Sequence, residues 1–202
     1  MNERFFNLTR EKQDRIINAA IYVFSANGYD KAGTDAIIKE AGISKGLLFH
    51  YFGSKLNLYS FVAEYCARYM IMELQNSVGS DIKNPVDRIR AVEESKLRML
   101  RVYPYLDLFI ISLQEEKSPE ALPAARSWST MVEEVYRELI EEGADESLLR
   151  PGLDIAGVRE LVSCALEGFK IRRRGEGYSP QQTAADFIPY LEMIKTGVCR
   201  EG

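Results

Sequence analysis

The sequence is poor in histidine and cysteine, with one and three of them among 202 residues. Cys66, Cys164 and Cys199 are far apart and form no Cys-x-x-Cys pair, so neither disulfide bonds nor a zinc site is expected and a reducing compartment fits. A di-iron helical bundle would need two Glu-x-x-His motifs, and a nucleophilic triad needs a histidine near its serine or cysteine. We therefore expect no metal, no cofactor and no enzymatic activity.

Long apolar runs are also absent, since no stretch approaches the about eighteen consecutive apolar residues of a membrane-spanning helix. The charged start, MNERFFNLTREKQ, does not resemble a secretory signal. With 46% hydrophobic and 28% charged residues the composition is that of a globular chain. A cytoplasmic location without a membrane partner is expected.

Excess positive charge is missing overall, because the formal net charge is −4. The distribution is uneven, however. Residues 1–55 carry eight Lys or Arg against six Asp or Glu, whereas the remaining residues carry 18 against 24. A polyanionic partner is therefore expected to bind the N-terminal segment.

Strand-like alternation is nearly absent, and apolar residues recur at helical spacing from end to end, which predicts an all-α fold. Helix-capping residues are expected at Thr9, Ser44, Asn84 before Pro85, and Ser179 before Pro180, the last as a capping box with Gln182. About nine helices are predicted, with approximate bounds at residues 10–27, 34–41, 45–52, 55–78, 85–103, 105–116, 118–143, 154–174 and 180–200.

Two short predicted helices, Thr34–Ala41 and Ser44–Phe52, are joined at Gly42, which is the arrangement of a helix-turn-helix. In such a motif the second helix enters the major groove and its first turn meets base edges. Gly42 would supply the left-handed turn, and Ser44 would cap the second helix while leaving backbone N–H groups free for phosphate.

Several side chains of this second helix suit contact with DNA. Lys45 lies on its first turn, where a cation reaches guanine O6 and N7, and Gly46 beside it permits close approach. His50 and Tyr51 offer hydrogen-bond donors for phosphate oxygens at the helix end, and Lys55 adds a cation just beyond it. Alternatively, His50 could be an ordinary helix-end residue, whereas Phe49 and Phe52 are expected in the core.

The run NAAIYVFSANGYDKAGTDAIIKEAGISKGLLFHYFGSKLNLY, residues 18–59, strongly resembles the DNA-binding domain of the TetR family of bacterial transcriptional regulators. The matching parts are AA…VF…NGY, I…EAGISKG, and the aromatic-His-Tyr-Phe end followed by SK. Two departures are Gly33-Thr34, where many members have threonine and then an apolar residue, and Ile38, where alanine is usual. The resemblance implies base contacts by Lys45, Gly46 and Leu47, and phosphate contacts by Thr34, Ser44, His50, Tyr51 and Lys55.

The same resemblance implies the organisation of the whole chain. Residues 1–54 would bind operator DNA, and residues 55–202 would bind an effector and dimerise through the helices at 154–174 and 180–200. A repressor released from a near-palindromic operator by a small apolar or aromatic molecule is expected. The candidate lining of the effector pocket is Tyr65, Tyr69, Met99, Tyr103, Phe109, Trp128, Met131 and Phe169.

Other interpretations of these residues remain open. The aromatic and methionine side chains could simply form a helical core, since apolar residues at helical spacing need no ligand. The chain could also bind DNA without a small-molecule effector, acting with a protein partner or as an activator, or it could be a helical enzyme that only resembles a DNA reader. Arg172 to Arg174 are interpreted as solvated cations favoured at a helix C-terminus.

Overall fold

The computed structural model describes residues 3–200, and this part of the chain folds into α-helices joined by turns. The expected all-α class is confirmed. Ten α-helices and one short 3₁₀ helix (Glu146–Leu148) are present in the described range, against about nine helices expected. The α-helices are α1 (Glu3–Phe6), α2 (Arg10–Lys31), α3 (Thr34–Ala41), α4 (Lys45–Phe52), α5 (Lys55–Gln75), α6 (Pro85–Met99), α7 (Leu106–Gln114), α8 (Leu122–Glu141), α9 (Ile155–Gly175) and α10 (Pro180–Val198).

Most of the predicted helix starts are made by side-chain caps. The Ser44 hydroxyl accepts a hydrogen bond from the Leu47 N–H, and the Asn84 side chain accepts from two N–H groups in the first turn of α6. Ser179 caps α10 through the Gln182 N–H, but the Gln182 side chain donates to Asp186, so we find one half of the predicted capping box. Thr9 stands at the cap position of α2 without a capping hydrogen bond.

Several helix bounds differ from prediction. Helix α2 runs to Lys31 across an interruption at Gly28, where an end at 27 was expected. The short helix α1 was not expected, and α6 ends at Met99 instead of 103 because residues 100–102 form turns. Helix α8 begins at Leu122 instead of 118, since the Ser118 carbonyl accepts the N–H groups of both Ala121 and Leu122 in a turn.

The contacts of the chain divide it into two compact units. One unit consists of the chain up to Tyr69 together with Val102–Val132, and the other consists of Met70–Arg101 together with the chain from Glu133 onward. In the first unit α2 packs on α3 and α7, and in the second α10 packs on α6 and α9. The domain boundary expected near residue 54 stays a prediction.

The described residues, 3–200, contain neither a membrane-spanning helix nor a cluster of metal-ligating side chains. None of their helices combines the length and the apolar character needed to cross a bilayer. In the same range no three His, Cys, Asp or Glu side chains gather in a way that could hold a metal ion.

Candidate nucleic-acid interface

Helices α3 and α4 meet at a left-handed glycine turn. Gly42 has φ 62° and ψ 41°, and its N–H bonds back to the carbonyls of Ile38 and Lys39. A residue with a Cβ would cost roughly 1–2 kcal/mol in this conformation. The turn therefore depends on glycine for backbone reasons, and it sets the direction in which α4 leaves α3.

The inner faces of the two helices form a small apolar core. Ile37, Ala41 and Leu48 are almost completely buried, and Phe52 closes the end of α4 with little exposure. Ile43 and Phe49 are half-buried. Because these residues occupy the inner face, the opposite face of α4 is left to solvent.

The first turn of α4 presents polar groups at its exposed end. In any α-helix the first N–H groups have no intrahelical acceptor, so those of Lys45 and Gly46 are available to an external oxygen. The Lys45 ammonium lies 3.4 Å from a carboxylate oxygen of Asp35, and both side chains are exposed, at 65% and 82%. An exposed pair of this kind contributes only about 0–1 kcal/mol, so Lys45 can leave it for DNA at small cost.

Gly46, unlike Gly42, has an ordinary helical backbone conformation. Its φ is not positive, and a Cβ built on it would meet no atom within 4 Å. The fold therefore does not require glycine here, although glycine lowers helix stability by about 0.5–1 kcal/mol relative to alanine. An exposed glycine on this turn would let a partner approach α4 closely.

The other candidate contacts have mixed environments. Ser44 and His50 are exposed, whereas Thr34, Leu47 and Tyr51 are half-buried. The His50 and Tyr51 rings are in edge contact, with 5.4 Å between their centroids. These positions are compatible with the expected DNA contacts, which stay predictions.

Lys55 has an intramolecular role that its sequence position does not reveal. Its ammonium lies 4.4 Å from the centroid of the Tyr29 ring and donates to the Asp30 carbonyl at 3.2 Å. The Tyr29 hydroxyl donates in turn to Glu120, and burial together with this bond raises the pKa of Tyr29 to about 12. Lys55 thus joins the start of α5 to the end of α2, beside α4.

Three of the eight candidate pocket residues form a tyrosine cluster. The hydroxyls of Tyr65 and Tyr103 are 2.8 Å apart, and the Tyr69 ring meets the Tyr103 ring edge-on at 5.2 Å. The Tyr103 hydroxyl donates to Asp14 of α2 at 2.6 Å. Burial and these hydrogen bonds raise the pKa of Tyr103 above its usual range. Asp14 was not anticipated, because 89 residues separate it from Tyr103.

The other five candidates lie elsewhere. Phe109 packs against Phe24 and Tyr59, Arg68 lies over the Trp128 ring, and Met131 is exposed. Met99 and Phe169 are buried in the second unit, where Phe169 contacts Phe187. That all eight line one effector pocket stays a prediction.

Known proteins share both the helix-turn-helix sequence and the fold. The sequence profile of the bacterial regulatory proteins of the tetR family matches residues 16–60. The transcriptional activator FasR of Mycolicibacterium smegmatis is 34% identical over 95 residues, which are 46% of this chain and 43% of that protein. The chain therefore spans less than half the length of this relative.

Two further comparisons extend over nearly the whole chain. The transcriptional repressor AcnR of Corynebacterium efficiens is 25% identical over 93% of both chains. The crystal structure of a TetR family transcriptional regulator from Chloroflexus aurantiacus has the same fold, with a TM-score of 0.63 at 20% identity over 98% of each chain. The glycine turn, the exposed first turn of α4 and these similarities agree: residues 16–60 match the helix-turn-helix DNA-binding domain of the TetR family of bacterial transcriptional regulators, and the chain shares the fold of a solved TetR family regulator over nearly its whole length.

Proposed function

We propose that the protein binds a near-palindromic operator as a homodimer and represses transcription until a small apolar or aromatic molecule releases it. The observation that carries the DNA-binding part is Gly46, an exposed glycine that the fold does not need, beside Lys45 at the open end of α4. Lys45 would contact a base edge, and the N–H groups of this turn would bind a phosphate. No catalytic step is part of the proposal.

A homodimer is supported by the outer surface of α9 and α10. Leu161, Ile171 and Met193 are exposed at 52%, 74% and 69%, and Tyr190 lies beside a cleft between these two helices. Exposed apolar side chains on these two helices, together with the largely apolar lining of the cleft, indicate a protein interface. A twofold dimer would place two α4 helices about 34–36 Å apart, which is one turn of DNA.

Release by a small molecule requires that movement near the effector reach α4. Two sets of hydrogen bonds within the first unit would transmit this movement. Tyr103 bonds to Asp14, and Glu116, between α7 and α8, accepts the Tyr29 N–H. A molecule that favours one arrangement of these contacts would shift the population away from the DNA-binding state.

The choice between repression and activation is based on the names of the similar proteins. AcnR, whose match covers 93% of this chain, is named a repressor, whereas FasR, whose match covers 46%, is named an activator. We therefore favour repression. An activator, or a regulator that acts with a protein partner and without a small molecule, is the alternative. A reporter gene placed downstream of the recovered operator distinguishes the two signs.

The first experiment is a selection of bound genomic fragments by the purified protein at moderate salt. Wild-type protein is expected to recover one near-palindromic site. Lys45→Ala is expected to lose on the order of 1–3 kcal/mol of binding free energy at each half-site. Lys83→Ala removes an exposed lysine in the second unit and serves as the control with the same change of charge. Salt-sensitive binding without a shared sequence would contradict the proposal.

A further inference from the structure

In helix α1 the fully buried side chain of Phe5 packs against the end of α4. The Phe5 ring lies 5.0 Å from the Phe61 ring and 5.5 Å from the Phe52 ring, measured between centroids. It also meets the edge of the Tyr51 ring at 6.3 Å. A four-residue helix has no stability of its own, so this aromatic packing must hold α1 in place.

The connection from α1 to α2 is fixed as well. The Gln13 side chain, which is buried, donates through Nε2 to the carbonyls of Phe6 and Leu8, at 3.1 and 2.8 Å. One amide of α2 therefore holds two backbone groups of the preceding segment. Together with Phe5, this gives residues 5–8 a defined place beside α4.

Arg4 is thereby brought close to the expected phosphate contacts. It directly precedes Phe5, its side chain is exposed, and none of the ion pairs found among residues 4–200 uses its guanidinium. Phe5 contacts Tyr51, and Tyr51 and His50 form the end of α4 that is expected to meet the DNA backbone. Phosphates follow one another every ~3.4 Å along each strand, so a cation beside that end has several within reach.

We infer that Arg4 is an additional phosphate contact of this protein and that Phe5 is the positioning residue that holds it there. A guanidinium suits this role because it binds a phosphate with two parallel hydrogen bonds. The inference rests on the proposed operator binding. It adds α1 to a DNA-binding surface that the sequence pattern had limited to residues 34–55.

The test is the salt dependence of affinity for the selected operator. Each phosphate contact contributes about 0.9 to the slope of log K against log salt, so Arg4→Ala is expected to reduce the slope by roughly two for a dimer. Arg4→Lys keeps the charge and is expected to retain the wild-type slope. Arg137→Ala, which removes an exposed arginine of the second unit, is expected to leave the slope unchanged.

A double substitution tests the part assigned to Phe5. If Phe5 holds Arg4 in place, Arg4→Ala added to Phe5→Ala reduces the slope by much less than Arg4→Ala alone, since the two residues act together. A wild-type slope in Arg4→Ala would overturn the inference while leaving operator binding intact. Failure of the wild-type protein to select any site would overturn the proposed function as well.

Discussion

At the residue scale, two glycines of the helix-turn-helix have opposite reasons to be there. Gly42 adopts a left-handed conformation that other residues reach only with strain, whereas Gly46 lies in ordinary helix with open space beyond its Cα. The first serves the fold, and the second is proposed to serve the contact with DNA. Substituting them separates the two roles.

We predict that Gly46→Ala leaves stability equal or raises it by up to about 1 kcal/mol, because alanine favours helix. Its affinity for the operator is expected to fall at least about tenfold, since the added methyl group stands between α4 and the bases. Unfolding in urea and titration of operator DNA measure the two quantities. Thr130→Ala, at an exposed position of α8 where alanine likewise favours helix, is the control and should change stability alone. Unchanged operator affinity in Gly46→Ala would refute the close approach.

At the element scale, an interruption of α2 connects three parts of the first unit. Gly28, with φ 65° and ψ 177°, breaks the helix near its end, so the Tyr29 N–H turns to the Glu116 carboxylate at 2.9 Å. Glu116 also accepts from the Tyr59 hydroxyl and from the N–H groups of Lys117 and Ser118. One carboxylate therefore joins α2, α5 and the connection between α7 and α8.

We predict that Glu116→Ala lowers the free energy of unfolding by about 1–3 kcal/mol, because several half-buried donors lose their acceptor. Glu115→Ala, at the exposed neighbouring position, is expected to change it by less than about 0.5 kcal/mol. Equilibrium unfolding in urea of both variants provides the comparison. Equal effects of the two substitutions would show that the Glu116 hydrogen bonds add nothing measurable to the free energy of unfolding.

The same elements show how far the sequence could predict the structure. The caps at Ser44, Asn84 and Ser179 were predictable because each signal is local, within four residues of the helix start. Helix α1 was not predictable, since four residues show no periodicity and its stability comes from Phe52 and Phe61 far along the chain. Helix α4 could be identified as a DNA-binding element because its signal, too, is local. The bond from Tyr103 to Asp14 could not be foreseen, because it joins residues far apart in the sequence.

At the scale of the whole molecule, the proposed dimer would form through apolar side chains that the monomer leaves exposed to solvent. Ile171 and Met193 are the most exposed of these side chains, and neither contributes to the core of its own unit. Arg172 lies at the neighbouring cleft, so the interface would combine an apolar centre with cations at its edge. A charge placed on Met193 tests the surface without disturbing the fold.

We predict that Met193→Glu converts the dimer to monomer and weakens operator binding at least about tenfold, because burying an unpaired carboxylate is costly. Sedimentation equilibrium and operator titration measure both effects. Met72→Glu introduces the same charge at another exposed methionine, 51% exposed on α5, and is expected to remain dimeric. A Met193→Glu protein that stays dimeric would place the interface elsewhere.

The pair between Lys45 and Asp35 has a consequence for the way the protein finds its site on a chromosome. A regulator meets vast lengths of unrelated sequence before its operator, and its cations are attracted to all of it alike. Because Lys45 is held by a carboxylate of its own chain, each chance encounter must first separate that pair. Since an exposed pair is worth at most about 1 kcal/mol, visits to unrelated sequence would be shortened by no more than about fivefold. Asp35→Asn should consequently lengthen the dwell time on unrelated DNA in single-molecule recordings.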